Sequence, residues 1–162
     1  MHHPTQTGRK FVDGANLYVR AGEVVGIAGL MGAGRTEIAM SMFGHSYGKD
    51  ISGSVYVHGK KVDTSTVPKA IDAGIAYATE DRKVYGLNLI EDIRRNISSA
   101  ALGKLSRNGW VNGNEELAVA ERYRKDLGVR APSVLALVGK LSGGNQQKVV
   151  LAKWLYTDPE VL

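Results

Sequence analysis

The chain of 162 residues is long enough to bury one hydrophobic core, and its 43% hydrophobic and 23% charged residues are ordinary for a globular domain. Cysteine is absent, which excludes disulfides and thiolate metal sites, and no apolar run approaches the ~20 residues that a membrane-spanning helix needs. The net charge of +5 suits an anionic ligand, but the Lys and Arg residues are dispersed and form no basic stripe, which disfavours nucleic-acid binding.

The N-terminal part predicts a strand, a glycine loop and a helix in that order. Residues 1–9 lack the apolar stretch of a secretory signal, and we expect a disordered or tag-like start there. Residues 10–20 predict an irregular strand that leads to a turn at Ala21 and Gly22. The apolar run VVGIA (24–28) is typical of a strand buried on both faces of a sheet.

After the glycine loop, TEIAMSMFG (36–44) has helical character and a glycine stop at Gly44. The run SGSVYVHGKKV (52–62) predicts a hairpin that turns near Gly59 and Lys60. A short helix with Pro68 in its first turn follows over 67–74, and GIAYATE (74–80) predicts a second buried strand.

The second half is predominantly helical by pattern. Helical periodicity extends over 88–127 and is broken by a loop near 106–113. Within the amphipathic segment 114–128, one face is predicted to carry Leu117, Ala120, Tyr123 and Leu127, and Glu121 is placed to pair with Lys125. A glycine turn at 141–144 then opens a helix that ends before Pro159. These elements predict an α/β core that carries a helical subdomain.

The last residues, DPEVL, resemble a turn followed by the beginning of a buried strand. A domain that stops where a strand begins is unusual, and we therefore expect the chain to be a fragment. Removal of neighbouring parallel strands would expose sheet edges and favour association with another chain.

The stretch GLMGAGRTE (29–37) resembles a phosphate-binding loop of the pattern G-x-x-x-x-G-K-[ST], with Arg35 in the lysine position. Its glycines permit backbone angles that other residues resist, and the N-terminus of the following helix favours an anion. Thr36 supplies the hydroxyl expected to bind the magnesium ion that accompanies a nucleotide. Arg35 keeps the positive charge, but its planar fork is longer than a lysine, so we expect phosphate binding to persist and hydrolysis to suffer. The alternative is a glycine turn that binds no ligand.

A second stretch, LSGGNQQK (141–148), places Ser142, Gly143 and Gly144 at the start of a helix. A hydroxyl and unpaired N–H groups at a helix N-terminus attract an anion. The alternative is a helix cap in which Ser142 or Asn145 satisfies the helix and no ligand binds. The glycine loop upstream favours the anion site, because two such helix starts in one chain are unexpected by chance.

Together the two stretches resemble those of the ATP-binding-cassette (ABC) ATPases, with LSGGNQQK similar to the signature sequence and GLMGAGRT to a variant Walker A loop. The resemblance covers residues 10–162. It is strongest to the second cassette of the two-cassette ATPase subunits of bacterial monosaccharide importers. Two stretches of this chain resemble sequences expected in that group: GEVVGIAGLMGAGRTE, with arginine for lysine, and AYATEDRK.

The resemblance implies an α/β P-loop NTPase (ABC ATPase) core with an N-terminal β subdomain and an inserted helical subdomain, truncated at the C-terminus. The nucleotide-binding core with the Walker A loop is expected over 10–84 and the helical subdomain over 85–140. Residues 141–162 would hold the signature motif and its helix, ending before the Walker B strand. The catalytic carboxylates would lie beyond the chain, so no catalytic residue is expected within it, and Asp158 and Glu160 are interpreted as turn and surface residues.

The resemblance also implies a set of binding residues. The nucleotide is expected to contact Gly29, Leu30, Met31, Gly32, Ala33, Gly34, Arg35, Thr36, Glu37, Ser142, Gly143, Gly144 and Gln146. Mg²⁺ bound with ATP is expected at Thr36 and Glu80, where Glu80 replaces the glutamine of most cassettes. The aromatic residue that stacks on adenine would fall near Gln6, which is unsuitable, although Phe11 is close.

By the same resemblance, the chain is part of an ATPase that couples ATP hydrolysis to monosaccharide uptake at the cytoplasmic face of the inner membrane. Its implied partners are a second cassette paired head to tail, membrane permease subunits and, indirectly, a periplasmic sugar-binding protein, with no nucleic acid. The alternative is a non-hydrolysing, regulatory ATP-binding cassette that supports a partner cassette. A third hypothesis is an ABC protein that acts on nucleic acid or ribosomes. It would require basic or coiled-coil insertions, which the sequence lacks. The choice of sugar is expected to belong to the binding protein and the permease.

Overall fold

The computed structural model describes Met1 and residues 12–162, and this part of the chain divides into two units, Met1–Ile75 and Ala76–Leu162. The tag-like start expected over 1–9, apart from Met1, lies outside the described residues. So do the first two residues of the strand expected over 10–20, and both Gln6 and Phe11.

The described part of the first unit contains two helices and one hairpin. Their bounds are α1 (Arg35–Met42), β1 (Val55–Val57), β2 (Lys60–Val62) and α2 (Val67–Asp72). Strands β1 and β2 are antiparallel, with Val55 opposite Val62. The two residues between them, His58 and Gly59, have φ of 50° and 74°, the left-handed geometry of a tight hairpin turn. The predicted hairpin is confirmed, with its turn one residue earlier than expected.

Gly44 ends the first helix as predicted, and the structure requires a glycine there. Its φ is +77°, and a Cβ at this position would lie 2.5 Å from the backbone nitrogen of Val67. The Gly44 N–H donates to the carbonyl of Thr64 at 3.1 Å, which joins the end of α1 to the segment before α2. The short predicted helix with Pro68 in its first turn is confirmed as α2, whose N-cap Thr66 accepts a hydrogen bond from the N–H of Lys69.

The strand expected over 24–28 is not formed, nor is one formed over 12–20. Val24 is 97% exposed, and Val25 and Ile27 are also exposed. An apolar run becomes a strand only when a neighbouring strand pairs with its backbone, and the described residues provide no such neighbour here. The turn that precedes the run is present, since the N–H of Glu23 donates to the carbonyl of Arg20 at 3.0 Å around Gly22.

The second unit begins within the segment expected to form a strand over 74–80, at Ala76. Here too the prediction is wrong in its extent, because no ladder forms. One of its backbone hydrogen bonds pairs it with a segment distant in sequence, from the N–H of Ala76 to the carbonyl of Val161, at 2.9 Å. Val161 thus makes the strand-like pairing that its apolar character indicates.

Helices dominate the rest of this unit, as the periodicity predicts. Three α-helices pack together, with a small hairpin at the loop expected near 106–113 and short helical turns between them. The bounds are a π-helical turn (Arg82–Gly86), α3 (Ile93–Ser98), a 3₁₀ turn (Leu102–Lys104), β3 (Ser106–Arg107), β4 (Trp110–Val111), α4 (Gly113–Asp126), a second 3₁₀ turn (Val138–Lys140) and α5 (Gly143–Leu155). Over residues 12–162, none of the helices has the length and apolar character needed to cross a membrane.

The core of this unit lies where α3 meets α4 and α5. Its fully buried apolar side chains include Ile93, Ile97, Ala120, Val149 and Val150. A polar group is built into the same core. The Ser98 hydroxyl donates to the buried carboxylate of Glu116 at 2.6 Å, and the Nε of Arg94 lies 3.4 Å from that carboxylate.

Helix α4 differs from its prediction in two details, the residue that it buries and the ion pair that it forms. Ala120 is buried as expected, but Leu117 is 38% exposed and Glu116 is buried in its place, because the carboxylate finds its partners on α3. Glu121 pairs with Arg124 at 2.9 Å and not with Lys125. The arginine fork explains this choice, since it also donates to the carbonyl of Ala131.

Candidate nucleotide site

The phosphate loop (29–37) is a sharp turn that leads into α1. Gly32 and Gly34 have φ of 80° and 88°, a region that favours glycine. The N–H of Ala33 donates to the carbonyl of Leu30 at 3.0 Å and closes the turn. A Cβ at Gly29 would lie 3.0 Å from the Cβ of Ala33, so the glycine allows the two ends of the turn to approach closely.

The start of α1 presents its N–H groups at this loop. Gly34 is the N-cap, and its carbonyl accepts the first helical hydrogen bond, from the N–H of Ile38, at 2.9 Å. The preceding N–H groups of the first turn have no partner within the helix, which makes them donors to an anion. The crest of the loop is open, with Leu30 85% and Met31 99% exposed. The loop and helix start therefore fit a phosphate group.

Arg35 and Thr36 stand at the first two positions of α1, and both are exposed. The Cδ and Nε of Arg35 lie 3.6 and 3.7 Å from the point where a Cβ at Gly29 would be. The arginine stem therefore runs back beside the loop, and the cation stays near the turn. Thr36 lies in the first turn of the helix, and its binding of a nucleotide-bound metal stays a prediction.

The acidic segment Glu80-Asp81 belongs to the second unit. Glu80 is exposed, and its carbonyl accepts a hydrogen bond from the N–H of Arg82 at 3.2 Å. The neighbouring Asp81 caps the π-helical turn, accepting from the N–H groups of Lys83 and Val84 at 3.1 Å each. The carboxylate of Glu80 is thus free of this capping role. Its sharing of Mg²⁺ with Thr36 of the first unit stays a prediction.

The signature turn (142–144) opens α5 and lies at the surface. Ser142 is the N-cap residue, but its side chain makes no capping bond to the helix backbone. Its Oγ instead accepts a hydrogen bond from the side-chain amide of Asn145 at 3.0 Å, which leaves the hydroxyl hydrogen for another acceptor. Asn145 is itself fixed, since its Oδ1 accepts from the N–H of Arg130 at 2.9 Å. The turn therefore has the donors of an anion site, with Gly143 and Gly144 exposed beside the serine.

Gln146 is placed differently from the other predicted signature residues. It is only 4% exposed, and its side-chain amide donates to the carbonyl of Val138 at 3.2 Å. Its Oε1 accepts from the Nε of Arg82 at 3.1 Å. The structure therefore brings Ser142 and the two glycines to the surface and holds Gln146 beneath them. Arg82 was missed by sequence reasoning, and its only signal was its place two residues after Glu80.

Comparison with known proteins agrees with these motifs. Residues 12–162 match the family model described as ABC transporter. The L-arabinose transport ATP-binding protein AraG of Geobacillus stearothermophilus is 56% identical over 162 residues, which are 100% of this chain and 32% of that protein. The xylose import ATP-binding protein XylG of Thermoanaerobacter pseudethanolicus is 47% identical over 155 residues, 96% of this chain and 30% of its own length.

A third relative is the ribose import ATP-binding protein RbsA 3 of Rhizobium etli, which is 44% identical over 147 residues, 91% of this chain and 28% of that protein. The chain thus spans about a third of the length of the curated relatives that it matches.

Proposed function

Because this chain belongs to the ABC transporter family, we propose that it is an ATP-binding cassette of a sugar importer. In the whole protein it would bind Mg-ATP and couple ATP hydrolysis to monosaccharide uptake. Membership confirms the expected α/β P-loop NTPase class, and it implies nucleotide binding by the domain. The observation that carries the proposal is the open glycine loop at the start of α1, supported by relatives named for arabinose transport and for xylose and ribose import.

The phosphate loop would hold the nucleotide phosphates by its backbone. Gly32 and Gly34 set the turn, and the first N–H groups of α1 point at the anion with the positive end of the helix dipole behind them. Arg35 would add charge to the same side of the loop, and Thr36 would provide a metal ligand. When bound with ATP, Mg²⁺ would neutralise phosphate charge during phosphoryl transfer.

The signature turn would serve a second nucleotide site. ABC cassettes are expected to pair head to tail, so the Ser142 hydroxyl and the N–H groups of Gly143 and Gly144 would contact the phosphates held by another cassette. Such a protein would lie at the cytoplasmic face of the inner membrane, with permease subunits as direct partners and a periplasmic sugar-binding protein as an indirect one.

The phosphate loop and the signature turn are expected to contribute differently to ATP hydrolysis. Arg35 replaces a compact ammonium by a planar fork, and Glu80 replaces an amide by a carboxylate, so the site at this phosphate loop would hydrolyse ATP weakly. The signature turn carries no such replacement. We infer that this cassette mainly provides a complete signature to its partner. A purely regulatory, non-hydrolysing protein is not favoured, because the relatives are named as transport or import ATP-binding proteins.

Replacement of Ser142 tests this division of roles in the intact protein. Ser142→Arg puts a long cation into the exposed signature turn and should remove most ATP turnover. Ser54→Arg makes the same change at an exposed residue ahead of β1 and serves as the control, with turnover expected near that of the wild type. Normal turnover by the Ser142 variant would mean that the signature turn does not serve a nucleotide site.

A further inference from the structure

The π-helical turn that follows Glu80 is fastened to α5 along most of that helix. Near the start of α5, the Nε of Arg82 donates to the Oε1 of Gln146 at 3.1 Å. In its middle, a Cβ at Gly86 would lie 3.1 Å from the Cγ2 of Val150, so the turn packs closely against the helix. Towards its end, the Nζ of Lys153 donates to the carbonyl of Gly86 at 2.6 Å. The segment after Glu80 and the signature helix are therefore joined at three levels.

The first of these joints lies directly under the signature turn. Gln146 is buried, and its side-chain amide accepts a hydrogen bond from Arg82 and donates one to the carbonyl of Val138. A buried amide oxygen that loses its donor is destabilised, so the Arg82 hydrogen bond fixes the side chain of Gln146. The N–H of Gln146 also donates to the carbonyl of Ser142 at 2.9 Å. Arg82 is thus connected to Ser142 by two hydrogen bonds, both made by Gln146.

The guanidinium of Arg82 also lies against the first residue of α5. A Cβ at Gly143 would be 2.7 Å from its Nη2. A cation at a helix N-terminus is unfavourable, because the helix dipole is positive there. An anion bound to the signature turn would offset this repulsion, because it would attract both the guanidinium and the helix N-terminus. The position of Arg82 therefore favours an anion at the turn.

We propose that Arg82 is a positioning residue for the signature turn. It holds Gln146 and borders Gly143, and so couples the loop that carries Glu80 to the residues that meet the phosphates. The proposal rests on the nucleotide function proposed above and adds a residue to it. Displacement of the loop at Glu80 would shift the signature turn through this contact.

A double-mutant cycle in the intact protein tests the coupling. Arg82→Gln and Gln146→Leu are made singly and together, and kcat/KM for ATP is measured with the melting temperature. If the residues act through their shared hydrogen bond, each single change lowers kcat/KM about tenfold and the double change lowers it no further. Lys83→Gln, the same charge change at the next and exposed residue, is the control and should stay within about twofold.

A purely structural role predicts a different result. It would lower the melting temperature and leave kcat/KM of the folded variants unchanged, which would overturn the proposal, as would additive losses of about a hundredfold in the double variant. If Arg82→Gln does not fold, Arg82→Lys replaces it in the same cycle, because lysine keeps the charge and loses the fork. A wild-type protein without ATP turnover would refute the proposed function itself, whereas an active wild type with additive losses would refute this inference alone.

Discussion

Gly32 provides the sharpest test of the phosphate-loop geometry. Its φ is +80°, and a Cβ there would meet no atom within 4 Å. Gly32→Ala therefore adds no steric clash, and its whole effect comes from the backbone conformation. An L-residue other than glycine pays about 1–2 kcal/mol to adopt this region.

The exposure of the loop decides where that free energy appears. Leu30 and Met31 make few contacts, so the free loop can relax to another conformation and must return when phosphate binds. The Kd for Mg-ATP should then rise about 5- to 30-fold, with little change in the free energy of unfolding. Gly32→Asn should raise the Kd less, because asparagine tolerates positive φ better than alanine.

Gly22→Ala is the matched control. Gly22 has φ of +74°, again with no atom within 4 Å of an added Cβ, but it lies in the turn before the apolar run 24–28. Because Gly22 lies outside the phosphate loop, its replacement should leave the Kd unchanged. Both variants are titrated with a fluorescent ATP analogue and Mg²⁺ in the intact protein. An unchanged Kd for Gly32→Ala would show that the loop binds phosphate in some other conformation, or not at all.

Three further predictions concern stability and ionisation. Gly44→Ala combines positive φ with a Cβ 2.5 Å from the nitrogen of Val67 and should lower the free energy of unfolding by about 3 kcal/mol in chemical denaturation. Glu116→Ala removes the buried acceptor of the Ser98 hydroxyl and the ion-pair partner of Arg94, and should lower the free energy of unfolding by about 3 kcal/mol, where a loss below about 1 kcal/mol would contradict the burial. The hydrogen bond from Lys69 at 2.7 Å holds the pKa of Asp63 well below its usual value, so this carboxylate stabilises the fold above its ordinary pKa, and the contribution is lost as pH falls through the lowered one. In Lys69→Met the pKa of Asp63 should rise towards its usual value in an NMR titration of the carboxyl carbon, and an unchanged pKa would exclude the lysine as the cause.

Structural features that depend on neighbouring residues in the sequence were predictable. The hairpin over 52–62, the stop at Gly44 and the helix after the signature turn each depend on residues within a few positions of one another. The glycine turn before α1 belongs to the same group, because its glycines and the following helix are consecutive. Local sequence therefore predicts the turn and the helix start, and anion binding there stays a prediction.

Features that depend on distant partners were not predictable. The run 24–28 is apolar, but a strand also needs a neighbour, and hydrophobicity alone does not provide one. The hydrogen bond between Arg82 and Gln146 joins residues 64 positions apart, so the sequence around either residue does not predict it. For the same reason the burial of Gln146, with its hydrogen bonds to Val138 and Arg82, could not be predicted from the residues around it.

The central claim, that the arginine-bearing loop binds nucleotide phosphate, is tested most directly by titrating the ¹⁵N-labelled chain with Mg-ATP and following its backbone amide shifts. The account predicts saturable shifts concentrated over 29–37, where the loop and the first turn of α1 provide the donors. A folded protein whose amides in this range do not respond to Mg-ATP would contradict the claim.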